Sequence, residues 1–179
     1  MTFCIWITGL PGSGKSTIAK KVKELYSKEV EILRLDEIRD EIRKEIKNLP
    51  EKYTKKEREL VYSKLAEKAE KEYEKGKNII IDATAHKRKW RESARKKIGN
   101  FKVVYIKCPL ETAMKRESKR KDNLVVQDLY EKALSEDKTV KGLPGVDVEY
   151  EEPINPELII KSDKISPEKA AKRIIEMIK

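Results

Sequence analysis

The run Gly9-Leu10-Pro11-Gly12-Ser13-Gly14-Lys15-Ser16-Thr17 has the spacing GxxxxGK[ST], and it stands between a short apolar stretch and a segment of helical period. Residues of these types in this order bind nucleotide phosphates. The glycines let successive backbone N–H groups turn toward phosphate oxygens, and the helix that follows adds positive potential at its start. Lys15 reaches the β- and γ-phosphates, and Ser16 offers its hydroxyl to Mg²⁺. ATP and Mg²⁺ are the expected cofactors, since no NKxD guanine signature occurs in the chain.

Two carboxylates extend this chemistry. Asp82, at the end of NIIID, fits a metal-holding role beside Ser16, directly or through water. Asp36, after EILRL, reads as the acceptor of a substrate hydroxyl's proton, as part of the metal shell, or as a plain helix N-cap. Cations complete the set: Arg116, Lys119, Arg120 and Lys121 lie where a mobile lid would close over a transferring phosphoryl group. His86, in AHKRKWR, reads as a surface or substrate-edge residue rather than a general base, because phosphoryl transfer rests mainly on positioning and charge.

Five short β-branched runs must carry these residues, at 3–8, 30–35, 78–81, 102–106 and 158–161. Helical segments alternate with them. One opens at Lys15, one follows Asp36 with Ile38, Ile42 and Ile46 in a row, and a long one covers 55–75 with Gly76 as its stop. Others cover 87–98, 110–120 and 128–134, and a last one starts at the SPEK sequence of Ser166. The alternation predicts a three-layer α/β/α domain over residues 1–179, with a parallel sheet of about five strands. The lid falls at about 116–128, and a Gly- and Pro-bearing loop at about 138–156 is placed to cover the site.

The chain has 179 residues, 41% of them charged, and a formal net charge of +10. The surplus is local: residues 77–121 hold 15 basic and 4 acidic side chains, while the remainder is close to neutral. Such a block suits a nucleic-acid surface, a polyphosphate grip or a solvated face. The intermixed Lys and Glu elsewhere resemble the composition of heat-adapted proteins. Cys4 and Cys108, each in an apolar run, read as buried thiols, and the absence of a membrane-length apolar stretch or a signal sequence points to the cytoplasm.

The motifs resemble those of the adenylylsulfate (APS) kinases, P-loop enzymes that phosphorylate the 3′-hydroxyl of adenosine 5′-phosphosulfate with Mg·ATP. GLPGSGKSTIA and the late GLPGVDVEYEEPINPEL are the strongest matches. LRLDEIR is similar to the family's LDGDNVR, which puts Asp36 on the second aspartate, Arg39 on a substrate-gripping arginine, and Arg34 in place of the first aspartate. YTKKERE puts Arg58 on another substrate arginine, CPLETAMKR puts Arg116 on the arginine of the nucleotide side, and DLYEKA is similar to GLYKKA. The chain departs from the family at Val61 (asparagine), at Thr84-Ala85-His86 (Ile-Ser-Pro), at Gln127 (lysine) and at Leu143 (the aromatic that stacks on the acceptor's adenine).

The resemblance thus implies a kinase with Lys15, Asp36 and Arg116 as catalytic residues. It implies an acceptor site of Asp36, Arg39, Arg58, Thr84, His86 and Leu143, a nucleotide acceptor such as APS, and a homodimer. DAT after the third strand also resembles kinases of nucleic-acid ends or of seryl-tRNA. An RNA-linked acceptor, or nucleotide binding without turnover, stays open as a rival.

Overall fold

In the computed structural model, the strand that runs into the phosphate loop, β1 (Cys4–Thr8), is buried at all five positions. A strand apolar on both faces can sit only inside a sheet covered on both sides. The structure describes residues 2–46, 50, 52–119, 128–135 and 142–179. Within them, β2 (Val30–Arg34), β3 (Asn78–Asp82), β4 (Phe101–Lys107) and β5 (Leu158–Lys161) join β1 in one parallel sheet of order β2-β3-β1-β4-β5. This is the expected architecture. Residues 120–127 of the lid, among them Arg120, Lys121 and Gln127, and residues 138–141 of the covering loop lie outside the described residues.

Alternation along β1 divides the core. Cys4 and Trp6 point to one face, packed with α2 (Leu35–Glu45), α3 (Lys55–Glu74) and α4 (Arg88–Lys97). Ile5 and Ile7 point to the other, packed against α1 (Lys15–Leu25) and α7 (Pro167–Ile178). Two shorter helices, α5 (Leu110–Glu117) and α6 (Leu129–Leu134), stand over the carboxyl end of the sheet. Both cysteines are buried free thiols. No helix among the described residues is long and apolar enough to cross a membrane.

Helix ends follow from local chemistry. Thr54 accepts from the Glu57 N–H at the start of α3, Ser166 accepts from the Lys169 N–H at the start of α7, and Gly76 takes the left-handed conformation just past α3. The start of α2 differs from the sequence expectation. Arg34 is its capping residue and Leu35 its first helical one, so Asp36 falls in the first turn rather than at the cap. Ile46 is also displaced: it leaves the helix in extended backbone and is exposed, and Arg39 joins Leu35, Ile38 and Ile42 on the buried face instead.

An aromatic ladder carries the core toward the site. Trp6 stacks on Tyr62, Tyr62 on Trp90 at 4.0 Å, and the edge of His86 meets Trp90 at 4.9 Å. Trp6 Nε1 donates to the Ala83 carbonyl and the Ala85 N–H donates to the Tyr62 hydroxyl, which pins the backbone between Asp82 and His86.

Ile5→Ala should leave a cavity at the centre of the sheet. Loss of about 2–5 kcal/mol is expected, read as a lower denaturation midpoint with an unchanged slope.

Candidate active site

The phosphate loop leaves β1 where the strand neighbours diverge in chain order, the usual ligand crevice of an open parallel sheet. Two of its glycines are demanded by space as well as by backbone angle. A Cβ on Gly12 would stand 2.1 Å from the Ala113 carbonyl oxygen, and one on Gly9 would stand 2.4 Å from that of Ile106. Gly14 closes the loop as the left-handed cap of α1. Lys15 folds back over it and donates from Nζ to the carbonyls of Gly9 (3.0 Å) and Leu10 (2.9 Å). Its ammonium is thereby held among the backbone groups that would face a phosphate. Ser13 is fully buried, with its hydroxyl unpartnered. Thr17 is exposed on α1.

Arg116, on α5, closes the loop from above. Its guanidinium donates to Ser162 Oγ (3.2 Å) and to the Ser162 carbonyl (3.0 Å), and Ser162 Oγ donates to the Ser13 carbonyl (2.8 Å). Tyr130 on α6 donates to the Pro11 carbonyl at the loop's tip (2.8 Å), and the buried Glu117 accepts from the Leu129 N–H (3.1 Å). Helices α5 and α6 are thus tied to the loop.

From Lys15 and Ser16 a pocket opens toward α2 and α3. All six side chains expected for the acceptor, Asp36, Arg39, Arg58, Thr84, His86 and Leu143, line it, together with Pro11, Asp82 and Arg34. Arg39 bridges two carboxylates: Nη1 donates to Asp36 Oδ1 (2.7 Å) and Nε to Glu57 Oε1 (2.6 Å). Burial opposes the charge on Arg39, yet Asp36 and Glu57 outweigh it and raise its pKa. Arg58 donates to the Gly142 carbonyl and faces His86 Nε2 at 3.4 Å. Tyr53, in a left-handed backbone at φ 70°, lays its ring under both guanidiniums, 4.9 Å from Arg39 and 5.9 Å from Arg58.

The loop that covers the pocket is moored from several sides. The Glu151 N–H donates to the His86 carbonyl (2.9 Å), and its carboxylate accepts from the Arg88 N–H (2.7 Å) and from Lys87 Nζ (3.1 Å). Tyr150 meets Thr8 Oγ1 at 2.8 Å, and Thr8 in turn donates to the Thr84 carbonyl. Part of the basic block is held in such contacts. Lys77 pairs with Glu31 and Glu72, Lys89 with Glu59, Arg95 with Glu157 and Lys107 with Glu152.

The set Ser16 hydroxyl, Asp82 carboxylate and Asp36 carboxylate consists of hard oxygens, which suit Mg²⁺ completed by phosphate and water. Glu57, Tyr53, Ser162 and Tyr130 were not singled out by sequence. Only Glu57 carries a signal: T-x-x-E at Thr54 is a capping box, and the carboxylate does reach back to a backbone N–H, that of Tyr53.

Burial, then Arg58 and Lys87, push the His86 pKa down to about 4, against Glu151, with Arg91 adding to the repulsion. The unfolded chain takes up a proton near 6.5 that the folded chain refuses until about 4, so stability falls as pH drops through that window. His86→Gln should flatten the fall in melting temperature between those pH values; equal slopes for both proteins would reject the assignment.

A sequence profile described as adenylylsulphate kinase matches residues 1–161. A probable adenylyl-sulfate kinase of Archaeoglobus fulgidus is 41% identical over 167 residues, 92% of this chain and 98% of its own. A second, from Pyrococcus abyssi, is 36% identical over 181 residues, 99% of this chain and 95% of its own. Among solved structures, the APS kinase of Mycobacterium tuberculosis in complex with AMPPNP and APS matches with a TM-score of 0.81 and 25% identity, covering 99% of this chain and 97% of that one. With profile and relatives spanning nearly its whole length, the chain belongs to the adenylylsulfate kinase family.

Proposed function

We propose that this chain is an ATP-dependent adenylylsulfate kinase, which moves the γ-phosphoryl group of ATP to the 3′-hydroxyl of APS and releases PAPS and ADP. One observation carries the reading: Lys15 and Ser16 of the phosphate loop share a pocket with Asp36 and three arginines, Arg34, Arg39 and Arg58. A phosphoryl donor and an anionic acceptor would meet there without crossing solvent.

ATP lies with its phosphates along the loop's N–H groups and the start of α1, and Lys15 leaves the loop carbonyls for the β- and γ-phosphates. Arg116, fixed by Ser162, flanks the nucleotide. APS enters beneath the covering loop. Its adenine packs among Tyr53, Leu143 and Pro144, and its anionic groups meet Arg39 and Arg58. Asp36, oriented by Arg39, accepts the 3′-hydroxyl proton as the new O–P bond forms and the bond to the β–γ bridging oxygen breaks. Water is kept out by the moored loop.

Mg²⁺, when bound through Ser16 and Asp82, neutralises phosphate charge. Mg²⁺ as the metal and a homodimer as the assembly belong to the same reading and rest on the family resemblance. The basic block that suggested the RNA-linked rival is in part engaged with acids of the same chain, through Lys77, Lys87, Lys89, Arg95, Lys97 and Lys107, which weakens the support it gives that reading.

The test is transfer of label from [γ-³²P]ATP to a panel of APS, RNA ends and seryl-tRNA. Labelled PAPS with stoichiometric ADP is expected; label on RNA alone, or ATP binding without turnover, rejects the reading. Lys15→Ala and Asp36→Asn should each lower single-turnover transfer by about three decades, the order seen when a charge-stabilising group is removed. An undiminished rate in Asp36→Asn would reject its role as proton acceptor.

A further inference from the structure

Glu57 is fully buried, at 0% exposure, and is not one of the residues that line the pocket. Whatever it does for a substrate it does through its neighbours. A carboxylate withdrawn from water needs donors, and the donors around this one belong to the wall of the site. Oε1 accepts from Arg39 Nε at 2.6 Å and lies 3.7 Å from Arg43 Nη2, while Oε2 accepts from the Tyr53 N–H at 3.2 Å. That last contact holds Tyr53 in its left-handed backbone, φ 70°, with the ring 4.9 Å from the Arg39 guanidinium and 5.9 Å from that of Arg58. One carboxylate thus reaches Arg39 from two directions and Arg58 through a single ring.

Exposure rises along this row of charges, from 0% at Glu57 to 5% at Arg39 and 26% at Asp36. The interior carboxylate takes the Nε edge of the guanidinium, and the pocket carboxylate takes Nη1 at 2.7 Å. A planar fork pinned at Nε cannot turn about its terminal bonds, so its contact with Asp36 stays at one nitrogen. Released from Glu57, the same fork is free to close on Asp36 bidentately, the geometry that guanidinium and carboxylate prefer. Both Asp36 oxygens would then be tied up, including the one that takes the acceptor's proton. A capping box alone explains the bond from Tyr53 but not the shorter one from Arg39.

We propose that Glu57 is a positioning residue for phosphoryl transfer. It holds Arg39 by the Nε edge, so that Asp36 keeps an oxygen for the acceptor hydroxyl, and it fixes Tyr53 beneath the two arginines that meet the acceptor's anionic groups. The inference rests on the kinase reading above and adds to it a residue that no substrate reaches. Glutamine at this position keeps the volume but offers one acceptor oxygen in place of two, and turns an NH₂ group toward the other donor.

The experiment compares wild type, Glu57→Gln, Arg39→Met and the double variant. In single-turnover transfer at saturating APS, Glu57→Gln should be about 10–10²-fold slower, the order set by a misplaced reacting group, and the KM for APS should rise. Affinity for AMPPNP should stay within about twofold of wild type, because the phosphate loop is untouched. In the Arg39→Met background, adding Glu57→Gln should change the transfer rate by less than about twofold, since the effect passes through Arg39. Equal losses for AMPPNP and for transfer, an unchanged rate or KM, or losses that add in the double variant would each overturn the proposal, the last by giving Glu57 a structural role of its own. If Glu57→Gln melts far below wild type, Glu57→Asp, which keeps the charge and withdraws it by one methylene, goes through the same cycle and is judged by the same additivity. Exchange of the Arg39 Nε–H proton with water, followed by ¹⁵N NMR, needs no acceptor. It should quicken at least about tenfold in Glu57→Gln, and an unchanged exchange rate overturns the hold of Glu57 on Arg39. A wild-type chain that fails to phosphorylate APS therefore refutes the functional reading and leaves Glu57 to be judged by that exchange.

Discussion

Positive charge taken out of water has to be met by an acceptor, and in this fold almost every feature around the pocket answers to that requirement. Four cations converge on one cavity. Lys15 is met by the carbonyls of Gly9 and Leu10, Arg39 by Asp36 and Glu57, Arg58 by the Gly142 carbonyl, and Arg34 by Asp82 and Glu37. Each acceptor also fixes a piece of structure. Glu57 ties α3 to α2 while its second oxygen takes the Tyr53 N–H, and Gly142 brings the covering loop down onto Arg58. The same requirement makes the site convertible: an incoming anion offers these cations a better partner than a carbonyl does.

The distribution of basic residues has the same logic at longer range. A run of 15 basic and 4 acidic side chains looks like a surface for an anionic polymer when read along the chain. Folding brings acids from α3, the covering loop and the approach to β5 against it. Glu157 is shared between Arg95 and the Val103 N–H, and Glu151 between Lys87 and the Arg88 N–H. Exposed pairs of this kind contribute little to stability individually. Their effect is positional, since they determine where the segment from Gly142 to Glu157 lies relative to the pocket.

The strands, their parallel arrangement and the phosphate loop were readable because each is written in contiguous residues: burial of both faces of CIWIT, helical period after Lys15, nine motif residues in a row. Asp36, Arg39, Arg58 and Asp82 were readable by motif, and all four reach the same pocket. Other features were not. Ser162 acts on Arg116 and on Ser13 across 46 and 149 positions, and Tyr130 reaches Pro11 across 119. Glu57 is marked in the sequence only as the far end of a capping box, and nothing in a Lys- and Glu-rich helix shows that this glutamate is fully buried. Ile46 misled for a related reason: helical spacing continues in the sequence for one step beyond the point at which the backbone turns extended.

The two halves of the site are therefore built in different ways, and this bears on where specificity resides. The donor side depends on a local turn whose glycines have no room for a side chain, so its chemistry tolerates little change. The side expected to hold the acceptor draws on α2, α3, the turn after β3 and the covering loop, with side chains that differ from the family at Thr84, His86 and Leu143, whereas Val61 is buried in the core and does not line the pocket. His86 illustrates how such a change is accommodated. Placed beside Arg58 it would be repelled if charged, but burial and that same arginine keep it neutral, so its ring nitrogen faces the guanidinium as an acceptor, while its ring edge packs on Trp90. Departures that keep the cations in place while altering the walls between them change the shape the acceptor must have without changing the reaction it undergoes.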